Sequence, residues 1–175
     1  MSLQWLFLYI VLERIFELYL SHRHCRVLIS RGGCELFPET FPSMVALHTL
    51  FLLALLGESY PWYLQWNPYT GTLFLFLVIL QFGRYWCIFS LGENWNTRIV
   101  LIPGGTVKKT GPYRYTAHPN YLVVTLEFLL LPLLMHAPYT LAVFFPANLL
   151  ILRQRISREE KTLRNFTDYN EHFPL

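Results

Sequence analysis

Two long stretches without a charged residue constrain this chain more than anything else: residues 40–57, between Glu39 and Glu58, and residues 59–83, between Glu58 and Arg84. A helix needs about 20 mostly apolar residues to cross a bilayer, with roughly 17 to 25 tolerated, so each stretch holds one crossing. Composition agrees. Of 175 residues, 54% are hydrophobic and only 14% charged, whereas a soluble domain is about 25% charged. One domain over residues 1–175 is expected at this length, so the apolar excess has to face lipid rather than a second core. Disorder and a disulfide-stapled secreted scaffold are excluded. The net charge of +3 is too small to argue for a nucleic-acid partner; what matters is where the positive residues lie.

Residues 120–153 are too long for one crossing and short for two full ones, and contain Pro132, Pro138 and Pro146. They read as two short helices folded back near His136, Ala137 and Pro138. The first 20 residues lack a basic region and a small-residue cleavage site and read as a retained membrane segment. The expectation is an all-α integral membrane protein with about five spans, roughly 2–20, 42–57, 67–86, 120–135 and 139–153. The last two form a short hairpin, and a cytosolic helix continues from it. The positive residues test this count, because cytosolic flanks carry them. Arg23, Arg26 and Arg31 follow the first span, Arg84 ends the third with Arg98, Lys108, Lys109 and Arg114 in the loop behind it, and Arg153 to Arg164 follow the fifth. Connections 58–66 and 136–138 have none, and only Arg14 sits within a span. The N-terminus is therefore expected outside, with the polar segments and C-terminus in the cytosol.

Cys25, Cys34 and Cys87 form no CxxC pair, so no zinc ribbon or redox motif is expected, and His22, His24 and Cys25 lack the companions a metal site needs. No metal is expected. GxGxxG, GxSxG and HExxH are absent, and GGTVKKTG at 104–111 lacks the P-loop spacing.

Three groups can carry chemistry. In GPYRYTAHPNY, 111–121, Pro119 suits the first turn of a helix. The free N–H groups after His118 can take a carboxylate or phosphate, with Tyr113, Tyr115 and Tyr121 as aromatic faces; a proline-capped span with interfacial tyrosines is the alternative. In RQRISREEKTLRNF, 153–166, Arg155 and Glu159 share a helix face. They are either a solvated ion pair or an anion grip beside a carboxylate, with Glu160 next to it. The third group is the ionisable residues inside spans, each costing a few kcal/mol at the membrane centre. They are Glu13, Arg14, Glu17, His48, Arg84 and Glu127, all in the cytosolic half. Glu13, Arg14 and Glu17 read as snorkelling or paired with one another, while Glu127 is deeper and with His48 is the candidate for contacting a substrate in the bilayer.

Taken together, LGENWNTRI (91–99), GPYRYTAHPNY (111–121) and RISREEKTL (155–163) resemble the isoprenylcysteine carboxyl methyltransferase family of integral membrane enzymes, over about residues 85–172. The resemblance implies an S-adenosylmethionine-dependent methyltransferase whose N-terminal spans lie in 1–90 and whose cofactor-binding half is 91–175. Tyr113, His118, Pro119, Asn120, Tyr121 and Glu160 would hold the cofactor, and Arg155 and Glu159 would stand beside the reacting groups. A lipophilic or lipidated acceptor would enter from the bilayer, in a bacterial plasma membrane. Ala117 stands where an arginine commonly precedes the histidine, and Val123 where a glycine commonly follows. HPNYLVV with WNTRI upstream is closer to bacterial relatives that methylate alkylpyrones or alkylresorcinols. A phospholipid N-methyltransferase, an NADPH-dependent sterol-type reductase and a non-enzymatic membrane scaffold are the rival expectations.

Overall fold

The computed structural model describes residues 3–169. In chain order they form α1 (Leu3–Ser30), β1 (Cys34–Leu36), α2 (Thr40–Glu58), α3 (Pro68–Leu91), β2 (Ile99–Leu101), α4 (Pro119–Leu134) and α5 (Pro138–Phe166), with 3-10 turns at Gly92–Asn94 and Gly111–Arg114. The all-α expectation holds for the class. It missed β1 and β2, three residues each, which pair antiparallel with Glu35 opposite Val100.

Local chemistry sets the helix ends. Asn67 accepts from the Thr70 N–H at 2.9 Å while the Thr70 hydroxyl accepts from the Asn67 N–H at 3.0 Å, a capping box ahead of α3. Pro119 and Pro138 open α4 and α5, where their missing N–H costs nothing. The expected fold-back falls between them, with His136 at φ +55°. Glu58, at the end of α2, clasps the start of α5: its carboxylate accepts from the N–H groups of Tyr139 at 2.8 Å and Thr140 at 2.6 Å. Leu3 donates its N–H to the Trp62 carbonyl at 2.9 Å, so the 59–67 connection and the α4–α5 turn share one end of the bundle. β1, β2 and the expected basic segments occupy the other.

The helices pack through Ile10, Leu47, Phe51, Leu77, Phe128 and Leu131, among others, with Phe51 and Phe128 stacked at 4.1 Å. The outside is as apolar as the inside: Leu53, Phe76, Phe82, Phe89 and Leu150 are all more than half exposed. Helices α2 and α3 are long and apolar enough to cross a membrane. The 16 residues of α4 reach only about 24 Å, short of the roughly 30 Å of a hydrocarbon core.

Two helices depart from the expected bounds in an instructive way. The first runs ten residues beyond the expected span, to Ser30, and the third five beyond, to Leu91, and the charges they carry are paired inside the bundle. Arg84, expected on a basic flank, is 1% exposed in the middle of the bundle. It donates to Glu17 at 2.7 Å and, through Nε at 3.0 Å and through Nη2, to Glu127. Arg14 pairs with Glu13 at 2.8 Å and Glu17 at 2.9 Å and lies 3.5 Å from Glu127. Gln81 donates to Glu127 at 2.8 Å. Burying these groups is tolerable only because they satisfy one another.

Candidate active site

The loop after α3 is fixed to α1 by hydrogen bonds. Ser21 donates to Asn96 Oδ1 at 2.6 Å and accepts from the Thr97 N–H at 3.0 Å, and His24 Nδ1 lies 2.7 Å from the Trp95 carbonyl. Arg98 is held by Glu35 at 2.8 Å and lies over the Phe41 ring at 4.1 Å. Trp95 is thereby pressed into the bundle, 3% exposed. The Gly111–Arg114 turn sits against the end of α3 closely enough that a Cβ on Gly111, whose φ is +55°, would collide with Ser90.

The α4–α5 hairpin returns the chain to this same end, which brings residues 118–121 against 155–160. Arg155 and Glu159 share a face as the spacing requires, but they are not a simple ion pair. Arg155 Nε donates to the Tyr121 hydroxyl at 2.8 Å, and that hydroxyl donates to Glu159 Oε2. Arg155 Nη2 donates to the Thr97 carbonyl at 2.5 Å, and Nη1 has no partner among the described residues. The whole side chain is buried, 3% exposed. His118 Nε2 lies 3.2 Å from Glu160 Oε1, and its ring stacks on Tyr121 with centroids 5.3 Å apart. The Tyr169 hydroxyl donates to the same Glu160 oxygen at 3.4 Å. Burial, reinforced by Glu160, pushes the Tyr169 phenol up to about 12; burial pushes Tyr113 up further, with Cys87 and Glu159 adding to it. Both phenols therefore stay neutral donors at physiological pH.

Two hollows meet at this cluster. One, of about 340 Å³, opens at the polar end between loop 100–108, Tyr113, His118, Glu159 and Tyr169. It is continued inward by a pocket of about 90 Å³ that shares Tyr113, His118 and Glu159 and reaches Trp95, Asn120 and Tyr121. The other, of about 120 Å³, lies inside the bundle among Leu18, Met44, His48, Leu52 and Arg155, and is bounded by the same Trp95, Asn120 and Tyr121. These three residues and Asn96 are the wall common to both.

Of the residues singled out in the sequence, Tyr113, His118, Asn120, Tyr121 and Glu159 line the outer hollow, and Arg155 and His48 the inner one. Pro119 starts α4 and is buried. Glu160 faces a separate groove between α4 and α5 and reaches the site through His118. Glu127 lies behind the inner hollow, taken up by Arg84, Arg14 and Gln81, so its distance from any ligand is set by those partners. Trp95, Asn96 and Tyr169 were not singled out, and Arg14 was read as snorkelling or paired rather than as a site residue. Trp95 and Asn96 stand inside the WNTR string, so a signal existed; for Tyr169 there was none.

Residues 72–165 match the isoprenylcysteine carboxyl methyltransferase (ICMT) family, and the chain belongs to it. Members are membrane methyltransferases. Two relatives are similar over nearly their whole length: the uncharacterized protein YpbQ of Bacillus subtilis, 36% identical over 93% of this chain and 98% of its own, and an uncharacterized protein of Haemophilus influenzae, 29% identical over 86% and 88%. No solved structure matches this chain.

Proposed function

We propose that this protein is an S-adenosylmethionine-dependent O-methyltransferase acting on a carboxylate or enol/phenol oxygen of a lipophilic acceptor. It works at the inner leaflet of a plasma membrane, as one domain crossing five times with its N-terminus outside. The observation that carries the reading is Arg155: a buried guanidinium whose Nη1 has no partner among the described residues, lining the inner hollow beside the wall that it shares with the outer one.

The outer hollow has the chemistry for the donor. Its carboxylate, Glu159, suits a cationic sulfonium or ammonium, and Tyr113 and Tyr169 offer neutral phenols and aromatic faces. When bound, S-adenosylmethionine supplies an electrophilic methyl group. The protein's part is positioning and exclusion of water. Arg155 Nη1 is free to hold the acceptor's anionic oxygen, and the Tyr121 hydroxyl fixes the guanidinium by standing between it and Glu159. The exposed apolar sides of α1, α2 and α3 and the one-sided distribution of arginine and lysine support the five-span arrangement.

The test is donor and acceptor binding by the purified protein in lipid nanodiscs, followed by methyl transfer from labelled donor to a lipid extract. His118→Ala and Glu159→Gln are expected to weaken donor binding. Arg155→Lys is expected to keep donor binding and lose transfer. Tighter binding of NADPH than of S-adenosylmethionine, a methylated amine as product, or donor binding untouched by His118→Ala and Glu159→Gln would each overturn the reading.

A further inference from the structure

The inner hollow contains more unspent hydrogen-bonding capacity than one reacting oxygen can use. Four of its lining residues carry a buried polar atom with no partner among the described residues: the donors Arg14 Nε, Trp95 Nε1 and Arg155 Nη1, and the acceptor Asn120 Oδ1. Leaving such an atom unsatisfied costs about 1–3 kcal/mol, and all four residues border one space of about 120 Å³, so a ligand there has these groups to satisfy.

The two guanidiniums differ. Arg14 already has its charge balanced, Nη1 by Glu17 at 2.9 Å and Nη2 by Glu13 at 2.8 Å, with Glu127 at 3.5 Å. Only its Nε–H is open, a direction that calls for a neutral oxygen. Arg155 has no carboxylate within ion-pair distance among the described residues and takes an anionic one. Trp95 adds a neutral donor, and Asn120 takes a hydroxyl or N–H.

We infer that Arg14 is a specificity-determining residue: it selects an acceptor whose compact head carries a second, neutral oxygen apart from the anionic oxygen held by Arg155. The inference rests on the inner hollow being the acceptor site. The carboxylates of the membrane-embedded cluster thus fix the guanidinium plane so that its one remaining N–H faces the ligand. The charge balance of Arg14 is what keeps a second anion out.

Paired lipids that differ by one oxygen test it: hexadecanoate against 3-oxohexadecanoate, and 3-pentadecylphenol against 5-pentadecylresorcinol. Their binding to the protein in nanodiscs is measured without donor, by quenching of tryptophan fluorescence and by thermal protection. In one pair or the other, the member with the additional oxygen is expected to bind at least tenfold tighter. Arg14→Lys, which keeps the charge and loses Nε–H, should reduce that preference at least fivefold with little effect on the member lacking the additional oxygen. If Arg14→Lys melts early, Trp95→Phe removes a neighbouring donor without touching the ion pairs and should reduce it too. Equal affinity within both pairs, as expected of a hollow holding only water, or a preference untouched by both variants, overturns the inference. Binding with the expected preference but no methyl transfer leaves it standing and removes the reaction instead.

Discussion

Two clusters of charge lie in this bundle, and they are built to opposite rules. In the inner one Glu13, Glu17 and Glu127 surround Arg14 and Arg84, and nearly every polar atom is used. In the outer one Arg155 reaches Glu159 only through the Tyr121 hydroxyl and leaves Nη1 open. The first arrangement is how an interior keeps charges at low cost. The second leaves a charge poised for something that arrives. Removing one member should therefore unfold the first and only silence the second.

The largest effect expected is at Arg84. Arg84→Met leaves Glu17 and Glu127 without their main partner in a buried setting, a loss of about 3–5 kcal/mol. The protein should fail to accumulate in membranes or melt far below wild type in detergent. Glu127→Gln, which removes a charge but keeps hydrogen-bonding atoms, should be milder. A stable Arg84→Met protein would make the inner cluster as dispensable as the comparison makes the outer one.

Arg155→Lys sharpens the other side. A lysine cannot donate at once to Tyr121 and Thr97 and still present a third group, so turnover should fall on the order of 10²-fold or more, as when a preorganised donor is lost. The melting temperature and donor affinity should stay near wild type. Tyr121→Phe removes the hydroxyl between Arg155 and Glu159 and lets the guanidinium collapse onto the carboxylate. Loss of one hydrogen bond to a charged group, about 1.5–3 kcal/mol, predicts a drop in turnover of roughly ten- to a hundredfold, read as a fall in kcat with the KM for donor changed less. An equal loss of stability in Tyr121→Phe would show that the hydroxyl belongs to the fold rather than to the site.

The same contrast explains what could be read from the residues alone. The α2 and α3 helices were legible because their uncharged runs are local facts bounded by Glu39, Glu58 and Arg84, and the hairpin because prolines mark both its helix starts. His118–Tyr121 and Arg155–Glu160 were legible as strings, and one turn between two antiparallel helices is enough to bring them together. What was not legible is long-range. Nothing near Arg84 says that its partners are Glu17 and Glu127, 67 and 43 residues away. A three-residue strand such as β1 has too little periodicity to register. That Trp95 and Asn96 wall both hollows depends on Ser21 and His24 holding the loop from another helix.

The smallest effect expected lies at the end of the bundle remote from both clusters, and it serves as the control. Glu58 caps α5 by accepting from Tyr139, Thr140 and the Thr140 hydroxyl. Burial pushes its carboxyl up, but these hydrogen bonds outweigh that and hold it below the ordinary value of 4.5. A depressed carboxyl contributes stability in full above its unfolded value and loses it as pH falls through the folded one. Glu58→Gln should therefore lower stability by about 1 kcal/mol or less at neutral pH, the size of a helix cap on a half-exposed residue. Melting curves of wild type and variant should converge as the pH falls through the lowered folded-state value of Glu58, where the wild-type carboxyl is protonated as well. Donor affinity and turnover should not move. A loss of activity in Glu58→Gln at unchanged stability would mean that the α4–α5 hairpin transmits strain from its turn to Tyr121 and Arg155, and the two charged clusters could no longer be treated as separable parts.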